Sequence, residues 1–327
     1  MTVSRVINNH VRVAAETRQR VEQAINDLGY VPNALARGLL KGHTRTLALI
    51  VSDISNPFFT LMARGVEDVA RGQGYTVILG NSDESAEKER QYVHSILSHR
   101  INGLLIAPAG YGSRKTLDLL ARHGTKFVLV DRQIEGVPAD IVVGDNVGGA
   151  RRLAEHLIGL GHRRIALVNG AHEVPTAAER LTGYLQALAA HDLEPDPRIV
   201  IERNYQRSGG YDATRQLLAL PPDRRPTAIL ACNNFLAIGV IEALRDARIE
   251  VPRDIAVVSF DDIELASALY PFLTVMAQPA RTFGTIAAQF LFDRLEGSEP
   301  PAWRKVVLPP ELIVRVSCGA HAAQREA

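Results

Sequence analysis

Apolar residues follow two rhythms along this chain. From Thr46 onward, short continuous runs such as TLALIVSDI (46–54), YTVILGNSD (75–83), INGLLIAPAG (101–110) and KFVLVDRQ (126–133) alternate with longer amphipathic stretches such as FFTLMARGVEDVARGQG and AEKERQYVHSILSHR. A short run that is apolar throughout predicts a strand buried on both faces, and such strands separated by helices predict a parallel sheet with helices on either side. The order then starts again: RRIALVNGA (163–171), IVIERNY (199–205), TAILACNN (227–234) and IAVVSFDD (255–262), with helices predicted near 176–191, 210–219 and 235–247. The pattern predicts two doubly wound α/β lobes, and 327 residues is above the comfortable size of one core.

The first 45 residues follow a different rule. In TVSRVINNH the apolar stripe is Val3, Val6 and Ile7, which leaves Thr2, Ser4, Arg5 and Asn8 on another face. TRQRVEQAINDLGY (17–30) is amphipathic, with Val21, Ile25 and Leu28 expected inward and Gly29 placed to stop the helix. A further helix is expected after Pro32, with Asn33 as its N-cap. Charge separates this head from the rest. Residues 1–45 carry seven Lys or Arg against three acidic residues, whereas the remainder carries 30 basic and 33 acidic. A basic head on a mildly acidic body suits a polyanionic partner for the head alone.

Chemistry is sparse. Cys232 and Cys318 make neither a disulfide framework nor a zinc site. No apolar run approaches the roughly 20 residues of a membrane helix, and no secretory leader is read, so a cytoplasmic protein that does not engage membranes is expected. GSRKT (112–116) lacks the Gly before Lys that a phosphate loop needs, GQG (72–74) precedes a strand instead of following one, and no Gly-x-Ser-x-Gly elbow occurs. His162, His172 and His191 lack metal-ligand spacing. Asp261 and Asp262 are adjacent in an extended segment and point to opposite sides, so they form no dyad. Neither an enzyme nor a cofactor nor a metal is expected. Ligands of open parallel sheets bind beyond the carboxyl ends of the strands. Those ends carry Asp53 to Phe59, Asp83, Asp131-Arg132, Asp145-Asn146, Asn233-Asn234 and Asp261-Asp262, which point to a cleft between the lobes. Each Asp or Asn taken alone is as readily a helix cap or turn former.

The head, together with SNPFF (55–59), INGLLIAP (101–108), VDR (130–132), HLIGLGHRRIALVNG (156–170), ERLTGYLQAL (179–188), ACNNFLAIGV (231–240) and VVSFDDIELASALYPFLT (257–274), resembles the lactose/galactose repressor family of bacterial transcription regulators. The resemblance runs from Thr2 to about Cys318. It implies two Rossmann-like lobes of the type I periplasmic-binding-protein kind and a partial N-terminal helix-turn-helix head. The implied boundaries are 1–32 for the head, 33–44 for a hinge helix, 45–146 with 279–308 for one lobe, and 147–278 with 309–327 for the other. It implies that Thr2, Ser4, Arg5 and Asn8 meet bases and phosphates in the major groove, with Arg12 and Thr17 on the backbone, Tyr30 and Asn33 in support, and Leu39 as a wedge into a minor-groove step. In the cleft it implies Phe58 and Phe59 stacking on a ligand ring, and Asp131, Arg132, Arg180, Asn233, Phe235 and Asp261 beside it. Asn234 departs from the family, in which Asp usually follows that Asn. The family also places a first helix and turn before this point. Met1 therefore reads as an internal codon, and the chain as written is expected to bind operator DNA weakly. The implied partners are near-palindromic operator DNA, a small sugar-like effector and a second copy of the chain. A solute-binding protein of the same fold, or a sugar sensor blind to DNA, is the alternative.

Overall fold

The computed structural model describes residues 2–7, 13–29, 44–99, 101–298 and 300–320. The head contributes α1 (Thr2–Ile7) and α2 (Ala15–Asp27). The body begins with β1 (Thr46–Val51), α3 (Pro57–Gly72), β2 (Thr76–Asn81), α4 (Ala86–Ser98), β3 (Gly103–Ile106), α5 (Arg114–Arg122), β4 (Lys126–Asp131) and β5 (Asp140–Gly144). A second series follows with α6 (Asn146–Gly159), β6 (Ile165–Asn169), α7 (Pro175–Ala190), β7 (Val200–Glu202), α8 (Arg207–Leu218), β8 (Ala228–Ala231), α9 (Asn234–Asp246), β9 (Ala256–Phe260), α10 (Glu264–Leu269) and β10 (Thr274–Ala277). The last elements are α11 (Ala280–Glu296), β11 (Lys305–Leu308) and β12 (Glu311–Ile313). Local sequence sets several of these boundaries. The side chains of Asn56, Ser85, Asp145 and Asn233 each accept a backbone N–H from the helix they start. Proline opens α3 and α7, where its missing N–H costs nothing.

The strands form two six-stranded sheets, ordered β11-β5-β4-β3-β1-β2 and β12-β10-β9-β8-β6-β7. The two orders correspond strand for strand. All neighbours run parallel except β12 against β10. Alternate residues of β1 serve opposite faces. Leu47, Leu49 and Val51 pack with Phe58, Met62 and Phe283, while Ala48 and Ile50 pack with Val93, Leu117 and Leu120. Layer spacing is tightest where helices meet through glycine. A Cβ on Gly284 of α11 would lie 2.0 Å from the Met62 carbonyl oxygen of α3, and one on Gly239 of α9 would lie 2.0 Å from that of Arg207 in α8. The edge strands β2 and β11 are less covered, since Ile78 and Leu79 on one and Val307 on the other face solvent.

The chain passes from one sheet to the other at Asp145, at Gln278-Pro279 and at Pro309-Pro310. These passages lie side by side. The Asp145 N–H donates to the Leu308 carbonyl at 3.0 Å, and Gly144 sits so close to Gln278 that a Cβ there would be 2.2 Å from its Oε1. A buried ion cluster locks the returning segment to its lobe. Asp140 of β5 accepts from Arg294 Nε and Nη2 at 2.9 Å each and from the Arg304 N–H at 2.7 Å. Burial opposes ionisation of Asp140, but these donors outweigh it and hold its carboxyl down at about 2.

In the head, α1 rests on α2 and buries Val6. Gly29 ends α2 at φ +56°, the left-handed conformation its position calls for. The expectation that Val21, Ile25 and Leu28 face inward is corrected at Leu28, while Val21 and Ile25 are half-buried. No residue of α2 is buried, and Leu28 is 81% exposed. Among the described residues α2 packs against α1 alone, and one short helix cannot cover a full apolar stripe. Val3, Val21, Ile25 and Leu28 therefore line an open apolar groove. Asn8, Arg12, Tyr30, Asn33 and Leu39, with the expected hinge helix, lie outside the described residues.

Candidate functional site

Between the two sheets lies a cavity of about 220 Å³. It forms where the carboxyl ends of strands from both lobes converge, the position at which open parallel sheets leave a crevice. From the first lobe come Ser52, Asp53, Asn56, Phe58 and Phe59 after β1, Asp83 and Glu84 after β2, and Asp131 and Arg132 at the end of β4. From the second come Thr176 and Arg180 of α7, Asn204, Tyr205 and Gln206 after β7, Asn233 after β8, and Asp261 after β9. Of the eight residues expected to hold a ligand, seven line this cavity. Phe235 is not among them. It lies half-exposed in the first turn of α9, while its neighbour Asn233 caps that helix and faces the cavity.

Asp131 and Asp261 terminate the strands that stand third in their respective sheets, so they approach the cavity from equivalent positions in opposite lobes. Both adopt φ +65°, a conformation an L-residue enters only at a cost of order 1–3 kcal/mol. Asp83 and Glu84 share this handedness at φ +50° and +58°. Four of the seven non-glycine residues with positive φ among the described residues thus line one cavity. Backbone strain concentrated this way marks a site whose side-chain placement matters more than local comfort. Burial pushes the Asp131 carboxyl up to about 6, against the pull of Arg132 and Arg180 and with reinforcement from Asp261 and Glu84. Asp261 is likewise raised by burial, with Arg180 and a bond from Gln278 acting the other way.

The arginines are largely occupied. Arg132 forms a two-pronged ion pair with Glu84, at 2.5 and 2.7 Å, and also donates to the carbonyls of Pro108 and Ala109. Its Nε lies 3.4 Å from Asp131 Oδ2 and makes no hydrogen bond. Arg180 donates Nε to Asn146 Oδ1 at 2.9 Å and Nη1 to the Cys232 carbonyl, and its guanidinium stacks 3.9 Å above the Phe260 ring. It is buried, not a surface salt bridge. Phe58 and Phe59 meet edge to face at 5.2 Å, and Phe58 continues onto Phe283 at 5.5 Å, so the aromatic wall is anchored in the core. Tyr205 lies buried with its ring against Gly170, where a Cβ would be 2.3 Å from the ring. Asp262 turns away from the cavity into a bidentate pair with Arg315. Among the described residues no cluster of His, Cys, Asp and Glu could hold a metal ion.

Ser52, Glu84, Thr176, Asn204, Tyr205 and Gln206 were not among the residues the sequence singled out for ligand contact. The strand-end rule reaches three of them, because the run IVIERNY (199–205) holds β7 and continues into the loop that carries Asn204 to Gln206.

Residues 1–33 match the description "Bacterial regulatory proteins, lacI family", and residues 154–318 match a periplasmic binding protein-like domain. The HTH-type transcriptional regulator DegA of Bacillus subtilis (strain 168) is 34% identical over 319 residues, covering 97% of this chain and 93% of DegA. This chain belongs to the lacI family of bacterial regulatory proteins. Two solved structures extend the likeness. The lac repressor dimer bound to operator and the anti-inducer ONPF matches with a TM-score of 0.83 at 27% identity, over 97% of this chain and 94% of that one. The complex of the transcriptional regulator CelR with cellobiose matches with a TM-score of 0.75 at 31% identity, over 96% and 94%. The lacI-family chain described here is accordingly a DNA-binding transcriptional repressor with a periplasmic-binding-protein-like ligand domain, and not an enzyme. Among its described residues no helix is long and apolar enough to cross a membrane.

Proposed function

We propose that the inter-lobe cavity binds a small uncharged sugar or sugar derivative, and that this binding controls operator affinity. The observation that carries the reading is the pair Asp131 and Asp261, two buried acceptors presented from opposite lobes beside an aromatic wall. Ring hydroxyls can donate to such carboxylates, while a phenylalanine face covers the apolar side of the ring. A volume of about 220 Å³ falls below the roughly 300–1,000 Å³ typical of drug-sized ligands and suits a single ring. Sugar acids and phosphates are disfavoured, because Asp53, Asp83, Glu84, Asp131 and Asp261 outnumber the two arginines, whose donors are mostly taken. The cellobiose in CelR is consistent with a carbohydrate in this fold.

The DNA-binding role falls to α1 and the head, with Thr2, Ser4, Arg5, Asn8, Arg12, Thr17, Tyr30, Asn33 and Leu39 meeting the duplex. Two apolar patches support action as a homodimer. Ile78 and Leu79 on the edge strand β2 adjoin a groove with Tyr92, Ile96 and Ile101 in the first lobe, and Leu265, Leu269 and Tyr270 stand exposed in the second. Two-fold pairing would present two heads to a near-palindromic operator. Effector binding and operator binding are then linked reciprocally through the lobe arrangement.

The test is a thermal-shift screen of neutral monosaccharides against their acid and phosphate forms, followed by anisotropy titration of operator DNA with and without any hit. A neutral sugar that raises the melting temperature and changes operator affinity supports the reading. A screen in which no carbohydrate binds overturns the effector assignment, and one in which only anionic forms bind overturns the neutral class.

A further inference from the structure

Among the described residues, two hydrogen bonds join the lobes directly, away from the three chain passages. In one, the Tyr111 N–H donates to the Glu173 carbonyl at 2.9 Å. The other is made by side chains. Asn234 Nδ2 of the second lobe donates to Asn56 Oδ1 of the first at 3.0 Å, and both residues are buried. Its polarity is fixed by the fold. Asn56 is the N-cap of α3, and its Oδ1 already accepts the Phe58 N–H at 3.0 Å. The group facing it must therefore be a donor. Asn234 stands at the first position of α9, whose cap is supplied by Asn233, so its amide is not needed for its own helix. Its Oδ1 is buried without a hydrogen-bond partner. Asn234 is also outside the residues lining the cavity.

We propose that Asn234 is a positioning residue that latches the two lobes together across the cleft, through a donor that only the neutral amide supplies. The latch favours the closed arrangement before any effector enters, and it does so by tying the first turn of α9 to the cap of α3. The inference rests on the reading that the lobes move relative to each other, but its test needs no effector.

The geometry makes an asymmetric forecast for two substitutions of equal size. Asn56→Asp keeps an oxygen acceptor toward both Phe58 and Asn234, so the latch survives. Asn234→Asp loses the donor and sets a carboxylate against an oxygen. Spin labels at the exposed positions Thr60 and Ser208, one on each lobe, read the lobe separation in the full chain by pulsed electron resonance. The native thiols Cys232 and Cys318 are buried. With no ligand present, Asn56→Asp is expected to retain the wild-type distance. Asn234→Asp is expected to lower the closed-to-open ratio roughly tenfold, the order set by stranding a buried acceptor. The double variant Asn56→Asp/Asn234→Asp, with two carboxylates face to face, is expected to open furthest. Circular dichroism establishes that each variant is folded. If the two single variants behave alike, or if the folded double variant keeps the wild-type distances, the latch is overturned. The effector reading is untouched by that result, since the sugar screen judges it separately.

Discussion

At Asp131 both backbone and side chain are held against their preferences. The residue sits at φ +65°, and its carboxyl is buried and raised to about 6. Because the folded chain holds this proton more tightly than the unfolded chain, stability falls as pH rises from 3.8 to about 6 and levels off above. Asp131→Asn removes the ionisation and keeps the shape. It is expected to exceed wild type in stability above pH 6, by on the order of 1–3 kcal/mol, with the gap closing below pH 4 in urea melts run across that range. The same substitution should weaken binding of any sugar that passes the screen, at least tenfold by calorimetry, through loss of a charged acceptor. Residues of this kind were legible because strand-end position and residue type coincide. Phe235, which the resemblance implied, lies outside the cavity lining. It stands two residues after Asn233, and a helix turns each successive side chain by about 100°, so the two face different ways. Asn234 was read as either a cleft residue or a cap. It lies outside the cavity lining and leaves the cap to Asn233, but it reaches across the cleft to Asn56, a partner 178 positions away that no local pattern announces.

Elements were legible wherever a run was long. The alternation of apolar runs and amphipathic stretches is written into β1 to β4 and α3 to α5, and the restart at Arg163 is equally plain. The strand DIVVG of β5 was not singled out, since it is only five residues long between Pro138 and the glycine that ends it. Its importance comes from a distant event, the arrival of Arg294 and Arg304 on Asp140. Removing Asp140 takes from the buried Arg294 and the half-buried Arg304 the buried carboxylate they share, although Arg304 still pairs with Asp293. Asp140→Ala is expected to cost about 3–5 kcal/mol, measured by denaturant unfolding at neutral pH. Since the Asp140 carboxyl is lowered to about 2, its contribution is complete above pH 3.8 and lost as pH falls toward 2. The wild type should therefore lose its advantage over the variant in strong acid. In the head, amphipathic periodicity located α2, but periodicity names a face without saying what covers it.

For the whole molecule, the doubled sheet order could be anticipated from the repeated rhythm, while the surface patches could not, because an exposed leucine and a buried one are the same letter. The dimer proposal turns on those patches. Ile78, 52% exposed on β2, is the position to alter. Ile78→Asp is expected to shift sedimentation from dimer to monomer at micromolar concentration without lowering the melting temperature, and to weaken operator binding with it. Sedimentation unchanged from wild type would remove this edge from the interface. The passages at Asp145, Gln278-Pro279 and Pro309-Pro310 carry a further consequence. A single tether between two rigid bodies permits swivel about any axis, as a rope does. Three strips of backbone set abreast, two of them joined by the bond from Asp145 to Leu308, behave as a flexure. They bend readily across their common width and resist torsion and shear. Under the proposed effector control, each lobe, stiffened by helices that touch backbone to backbone at glycine, is expected to move chiefly along one path, so that closing the cavity displaces the far ends of the lobes in a fixed direction.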